Sequence, residues 1–189
     1  MLTLPFINKE IGEIKIINNI FTEDQRKKLI DDVQPLMVDG IHMNNYYGIE
    51  DGYQEGFNWF RLTYPTLHLH PDFDWAFDII LSKVKKLGFN FKKKDVISSW
   101  MNLTNGSQDK GNLKWHDHTV DADYVVVYYM KIPFPFFSNG TLFKDYGLVK
   151  AKQNSLLFFP SHLYHTTPSS PLRFERYSWS INLGINKNT

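Results

Sequence analysis

Trp115-His116-Asp117-His118-Thr119-Val120-Asp121-Ala122-Asp123-Tyr124-Val125-Val126-Val127-Tyr128-Tyr129-Met130 is the most informative run in the chain. Its second half, from Tyr124 on, is apolar and rich in β-branched and aromatic residues, which predicts a buried strand. Its first half delivers two histidines two positions apart. In extended chain, residues two apart share a face while neighbours oppose. His116 and His118 are therefore set to chelate one ion, with Asp117 facing away. Taken alone, the pair reads equally as two solvated loop histidines.

Toward the C-terminus, Leu156-Leu157-Phe158-Phe159-Pro160-Ser161-His162-Leu163-Tyr164-His165 reads as a second buried strand that stops at Pro160, with a turn delivering His162 and His165. Beyond it, Arg176-Tyr177-Ser178-Trp179-Ser180-Ile181-Asn182-Leu183 alternates strictly. Arg, Ser, Ser and Asn fall on one face; Tyr, Trp, Ile and Leu fall on the other. The polar face is either wet or the lining of a cavity. In a cavity, the guanidinium of Arg176 offers a rigid donor fork for a carboxylate, with the Ser178 hydroxyl beside it.

Strand patterns recur at 95–103, 124–130, 141–143, 147–150, 155–159 and 176–183 without intervening helices, so antiparallel pairing is expected. Upstream, 14–19 predicts a short strand, and Thr22-Glu23-Asp24-Gln25 matches a capping box opening a helix over about 23–34, ahead of Pro35. A second helix is predicted over 72–87, with Trp75, Ile79, Ile80 and Val84 on the 3.6-residue period and Gly88 at the C-cap position. Residues 40–70 are aromatic-rich and irregular. The expected fold is mainly β with flanking helices.

The 189 residues fit one domain spanning 1–189, in which 1–90 supply an N-terminal strand and support helices and 91–186 the β core. There is no cysteine, which removes disulfides, thiolate metal sites and cysteine nucleophiles; seven histidines remain, so any metal is held by imidazole and oxygen. The formal net charge of +1 gives no global nucleic-acid footprint. Lys83, Lys85, Lys86, Lys92, Lys93 and Lys94 make a local basic zone of the kind that is usually a solvated face. The N-terminus reaches Lys9 and Glu10 too soon for a secretory segment, and no apolar run approaches a membrane span, so a cytoplasmic protein is expected.

From Ser99-Trp100 through His116-Asp117-His118, Tyr128-Tyr129 and Phe159-Pro160-Ser161 to His165, Arg176 and Ser178, the sequence resembles the Fe(II)/2-oxoglutarate-dependent oxygenase superfamily. It is most similar to small prolyl-hydroxylase-like members found in phages and marine bacteria. The resemblance covers roughly residues 95–183. It implies a double-stranded β-helix, a cupin-like jelly roll, with N-terminal support helices. It further implies an oxygenase that hydroxylates a substrate while releasing succinate and CO2. Carried over by position, His116 and His165 are iron ligands, Arg176 and Ser178 hold the far carboxylate of 2-oxoglutarate, and Asn102 lies on a strand lining the co-substrate pocket. Molecular oxygen and an unidentified primary substrate are the other implied partners.

One position departs from the family pattern. Most members have His-x-Asp; here the third position is His118, favoured as a ligand by its i, i+2 geometry, with Asp117 and Asp121 as alternatives. A metal-binding cupin is the nearest rival, but cupins supply a Glu shortly after the pair and have no use for Arg176-x-Ser178. A non-catalytic jelly roll with incidental histidines is the third reading. Loops 40–70 and 131–147, the latter with Pro133, Pro135, Phe134, Phe136 and Phe137, are expected to shape specificity.

Overall fold

Alternation along one strand organises the layers. The structure, a computed structural model, describes residues 9–36, 38–39, 61–105, 115–120, 122–132, 139–168 and 175–184. In chain order the strands are β1 (Lys9–Ile11), β2 (Ile14–Asn18), β3 (Val38–Asp39), β4 (Arg61–Pro65), β5 (Val96–Asn105), β6 (Tyr124–Lys131), β7 (Gly140–Phe143), β8 (Gly147–Lys150), β9 (Ser155–Pro160), β10 (His165–Thr166) and β11 (Glu175–Leu183). Helices α1 (Glu23–Val33) and α2 (Asp74–Lys85) fall in the N-terminal half.

Eight strands form one antiparallel sheet in the order β1-β2-β9-β6-β11-β5-β4-β3, and three form a second in the order β10-β7-β8. On β6, Val125, Val127 and Tyr129 join Ile14, Ile16, Leu157, Phe159, Phe143, Val149 and Leu163 in the cluster shared by the two sheets. Val126, Tyr128 and Met130 point the other way, into the larger cluster with α1 and α2. β6 is thus buried on both faces, which explains its continuous apolar run. Each fully buried aliphatic or aromatic side chain contributes roughly 1.5–3 kcal/mol, so the double burial of β6 is a principal source of stability.

The helices cover the outer face of the large sheet. α1 begins with the expected capping box: the Gln25 amide donates to Thr22 Oγ1 (3.2 Å) and the Thr22 amide to Gln25 Oε1 (3.0 Å). Its buried face carries Leu29, Val33 and Arg26, the last donating to the Met130 carbonyl at 2.8 Å. α2 buries Ala76, Phe77, Ile80, Leu81 and Val84, and Phe77 meets Trp179 of β11 edge-to-face with centroids 4.6 Å apart. The α2 C-cap is Lys86; Gly88, with φ +94°, sits two residues beyond it. The expected 72–87 helix is shorter because Pro71–Phe73 form a separate 3-10 turn. Among the described residues no helix is long and apolar enough to cross a membrane.

Two expectations needed enlarging. The N-terminal half supplies β1 to β4 as well as helices, so it completes both edges of the large sheet. β10 is too short for any periodic signal, yet it carries His165. Residues 40–60 and 133–138, expected to shape specificity, lie outside the described residues.

Candidate metal centre and anion pocket

The two-residue spacing of His116 and His118 and the distant His165 come together through backbone pairing. His116 and His165 form an antiparallel bridge: the His116 amide donates to the His165 carbonyl (3.0 Å), and the His165 amide to the His116 carbonyl (2.9 Å). The bridge extends the small sheet beyond β10. The His118 amide then donates to Ser161 (3.0 Å), which fastens the same loop to the turn after β9. As a result one nitrogen from each of the three imidazoles lies within 4.8 Å of the others. Ring centroids are 4.5 Å apart for His116–His165, 5.1 Å for His116–His118 and 5.3 Å for His118–His165.

Each ring has its own surroundings. His165 is buried beside Phe143 and Phe159, and its Nδ1 lies 2.7 Å from the Leu163 carbonyl. A carbonyl there selects the tautomer with Nδ1 protonated and leaves Nε2 as a free donor for a cation. Burial pushes the His165 imidazole down to about 3, and burial together with nearby His116 brings His118 down to about 4. Both rings are therefore neutral near pH 7, the form in which imidazole ligates metals. His116 is exposed.

Asp117 has a different role. Its Oδ1 accepts from the Thr119 amide (3.2 Å) and Thr119 Oγ1 (2.9 Å), closing a small turn, and these bonds hold its carboxyl below the usual carboxylate range. Asp121 lies outside the described residues. His162 is exposed and stands 3.2 Å from Glu13, apart from the trio.

The polar face of β11 looks inward. Arg176, Ser178 and Asn182 are buried, whereas Tyr177, Trp179, Ile181 and Leu183 pack toward the helices. Ser178 stands opposite Asn102 of β5 on one side and Tyr129 of β6 on the other, so the three share the inner face. The Arg176 guanidinium lies 5.1 Å from the Tyr129 ring, and Tyr129 Oη is 2.5 Å from Thr141 Oγ1 of β7. Arg176 Nε is fully shielded from solvent and has no hydrogen-bond partner among the described residues. Burial holds the guanidinium below its ordinary pKa, a sign of how unfavourable this cation is without an anion.

The aromatic residues divide. Tyr128 and Trp179 belong to the helix-side core. Tyr129 borders Arg176, and Trp100 stacks on His118 with centroids 5.8 Å apart and planes at 30°. Trp115 stacks on Tyr164 instead, at 6.2 Å and 8°. Thr141 was missed by sequence reasoning: a lone threonine in a four-residue strand carries no signal until β7 is placed across from β6.

The site therefore combines a three-imidazole cluster with a buried, anion-seeking arginine. Imidazole suits zinc, copper, iron and nickel. The orphaned Arg176 Nε, with Ser178 beside it, suits a carboxylate.

No protein-family model matches the chain, and no curated protein sequence matches it. Solved structures do. HygX from Streptomyces hygroscopicus, with nickel and 2-oxoglutarate bound, aligns over 94% of this chain and 84% of its own, at 13% identity and a TM-score of 0.58. The viral collagen prolyl hydroxylase of Paramecium Bursaria Chlorella virus-1, in its 2OG complex, covers 93% and 97% at 12% identity and TM-score 0.57. A Pseudomonas putida prolyl-4-hydroxylase covers 92% and 94% at 11% identity and TM-score 0.54. At these identities the likeness is one of fold: the chain adopts the jelly roll of these proteins, as its sequence resemblance implied.

Proposed function

We propose that the protein is a non-heme Fe(II)- and 2-oxoglutarate-dependent oxygenase that hydroxylates an unidentified substrate, consuming molecular oxygen and releasing succinate and CO2. The observation that carries this reading is the buried guanidinium of Arg176, orphaned at Nε, on the inner face of the sheet that also borders the imidazole trio. A hydrolytic or purely structural metal site has no need of a desolvated arginine there. A chelating 2-oxo acid with a second carboxylate needs both features. In HygX and in the viral prolyl hydroxylase, the same fold holds 2-oxoglutarate.

In this reading His116, His118 and His165 would hold the ferrous ion; molecular oxygen is the oxidant, and the bound metal with 2-oxoglutarate would supply the electrons that activate it for C–H hydroxylation. The chain's own groups bind and orient. The Leu163 carbonyl keeps the Nδ1 proton of His165 in place and aims Nε2 inward. Arg176 takes the distal carboxylate through its planar fork, Ser178 adds a hydroxyl, and Asn102 borders the same pocket from β5. Tyr129, held by Thr141, closes the far wall and keeps water from the ion pair. Three neutral imidazoles leave the ion one unit more positive than a 2-His-1-carboxylate set, which strengthens its attraction for a dianionic co-substrate.

The test is an anaerobic titration of the protein with Fe(II) and 2-oxoglutarate. A weak visible charge-transfer band, and thermal protection by 2-oxoglutarate that requires the metal, are expected. Absence of both the band and the protection would sink the assignment.

A further inference from the structure

The three imidazoles are not held in the same way. His165 has its Nδ1 contact with Leu163, and His116 lies in the bridge that closes the small sheet. The ring of His118 makes no hydrogen bond among the described residues; its backbone is pinned to Ser161, but its side-chain torsions are not. Metal-ligating histidines usually fix their ring through the nitrogen that does not ligate. Here the outward support comes from a ring face: the indole of Trp100, 5.8 Å away and inclined by 30°.

Trp100 is itself well anchored. It lies mid-strand in β5, opposite Ser180 of β11 and Pro65 of β4, with backbone ladders on both sides. On its inner face it is two residues from Asn102, so one strand presents both the indole and a pocket-lining amide. His165 also stacks on His118, at 5.3 Å and 22°. The His118 ring therefore contacts both an indole and an imidazole, inclined to it by 30° and 22°.

Resting on the metal-centre reading above, we propose that Trp100 is the positioning residue for His118: its indole face supplies the orientation that hydrogen bonds give the usual third ligand. This accounts for an imidazole working where a carboxylate is the rule. A carboxylate is short and hydrogen-bonded into place, whereas an imidazole one bond longer needs a flat support to keep its donor nitrogen on the ion. An aliphatic residue at position 100 leaves the ring free to rotate about its side-chain torsions, and the entropic cost of freezing it falls on metal binding.

The experiment uses the full chain, anaerobically, with Co(II) as the sole probe, following saturation and the visible d–d spectrum. Trp100→Leu is expected to weaken Co(II) binding roughly 10–100-fold and to change the d–d band. Trp100→Phe, which keeps a ring face, is expected to restore affinity to within a few-fold, with the native band. In a His118→Ala background the Trp100→Leu effect should vanish, because the residue it positions is gone. Trp100→Met is the second ring-less variant if the leucine protein does not fold. Native affinity and spectrum in the ring-less variant, or an equal loss with and without His118, overturns the proposal. If the wild type and a His165→Ala control bind Co(II) equally poorly, the metal centre itself is wrong and this inference falls with it.

Discussion

His116 and His165, 49 positions apart in sequence, exchange both of their backbone hydrogen bonds, at 3.0 and 2.9 Å. The pairing makes the histidines themselves a rung of the small sheet. The placement of these two histidines then depends on sheet closure rather than on loop conformation.

Arg176→Met should separate the anion pocket from the metal centre. Loss of a buried charge-assisted pair costs about 2–5 kcal/mol, so 2-oxoglutarate affinity should drop at least roughly thirtyfold while Co(II) or Fe(II) affinity holds. The ligand-free variant should melt no lower than the wild type, because a desolvated cation without a hydrogen bond at Nε is removed. Calorimetric titration and thermal melts check both. Unchanged 2-oxoglutarate affinity means that the arginine does not clamp it.

His165→Ala and His118→Ala should each cut metal stoichiometry or affinity severely, and Asp117→Asn should leave both unchanged. The asymmetry follows from the Asp117 carboxylate being engaged by Thr119. Metal analysis after equilibrium dialysis distinguishes them. Retained affinity in His118→Ala would transfer the third ligand role to Asp117 or Asp121.

Gly140→Ala should damage the centre from a distance. Gly140 opens β7 at φ +145°, and an added Cβ would stand 2.1 Å from the Val149 carbonyl oxygen. Backbone strain alone costs about 1–3 kcal/mol, before the clash is relieved. Because β7 pairs with β10, Co(II) affinity should fall along with the melting temperature. A variant with native stability and native affinity would refute this coupling.

Thr22→Ala removes one half of the α1 capping box and should cost about 1 kcal/mol in denaturant unfolding. Metal and 2-oxoglutarate binding should be unaffected, since α1 packs on the opposite face of the large sheet from the pocket. Altered ligand affinity would contradict that separation.

Much of this was legible in the sequence because it is periodic or local. The alternation of Arg176, Ser178, Ser180 and Asn182 against Tyr177, Trp179, Ile181 and Leu183 places them on two faces, and the Thr22–Gln25 capping box fixes the start of α1. The alternation did not reveal whether the polar face met water or another sheet, since that depends on β7, β8 and β10, which are short and distant in sequence. β4 was illegible because it ends in Pro65 next to an irregular aromatic region. The stack of Trp100 on His118 needs the β5–β11 register and the Ser161 tether together, and neither is a sequence pattern. The grouping of His116, His118 and His165 was suggested by order and resemblance; their meeting point is a product of backbone pairing between segments distant in sequence.

The two-sided character of β11 has a consequence for how the protein can change. One ribbon is both hydrophobic floor for the helices, through Tyr177 and Trp179, and ceiling of the pocket, through Arg176 and Ser178. A slip of that ribbon by a single residue would turn the pocket inside out, trading an indole for a guanidinium in the dry core. Selection on folding alone therefore keeps Arg176 and Ser178 on the inner face. Change elsewhere in the chain can accumulate without moving Arg176 and Ser178 from the inner face, a position that the fold itself protects.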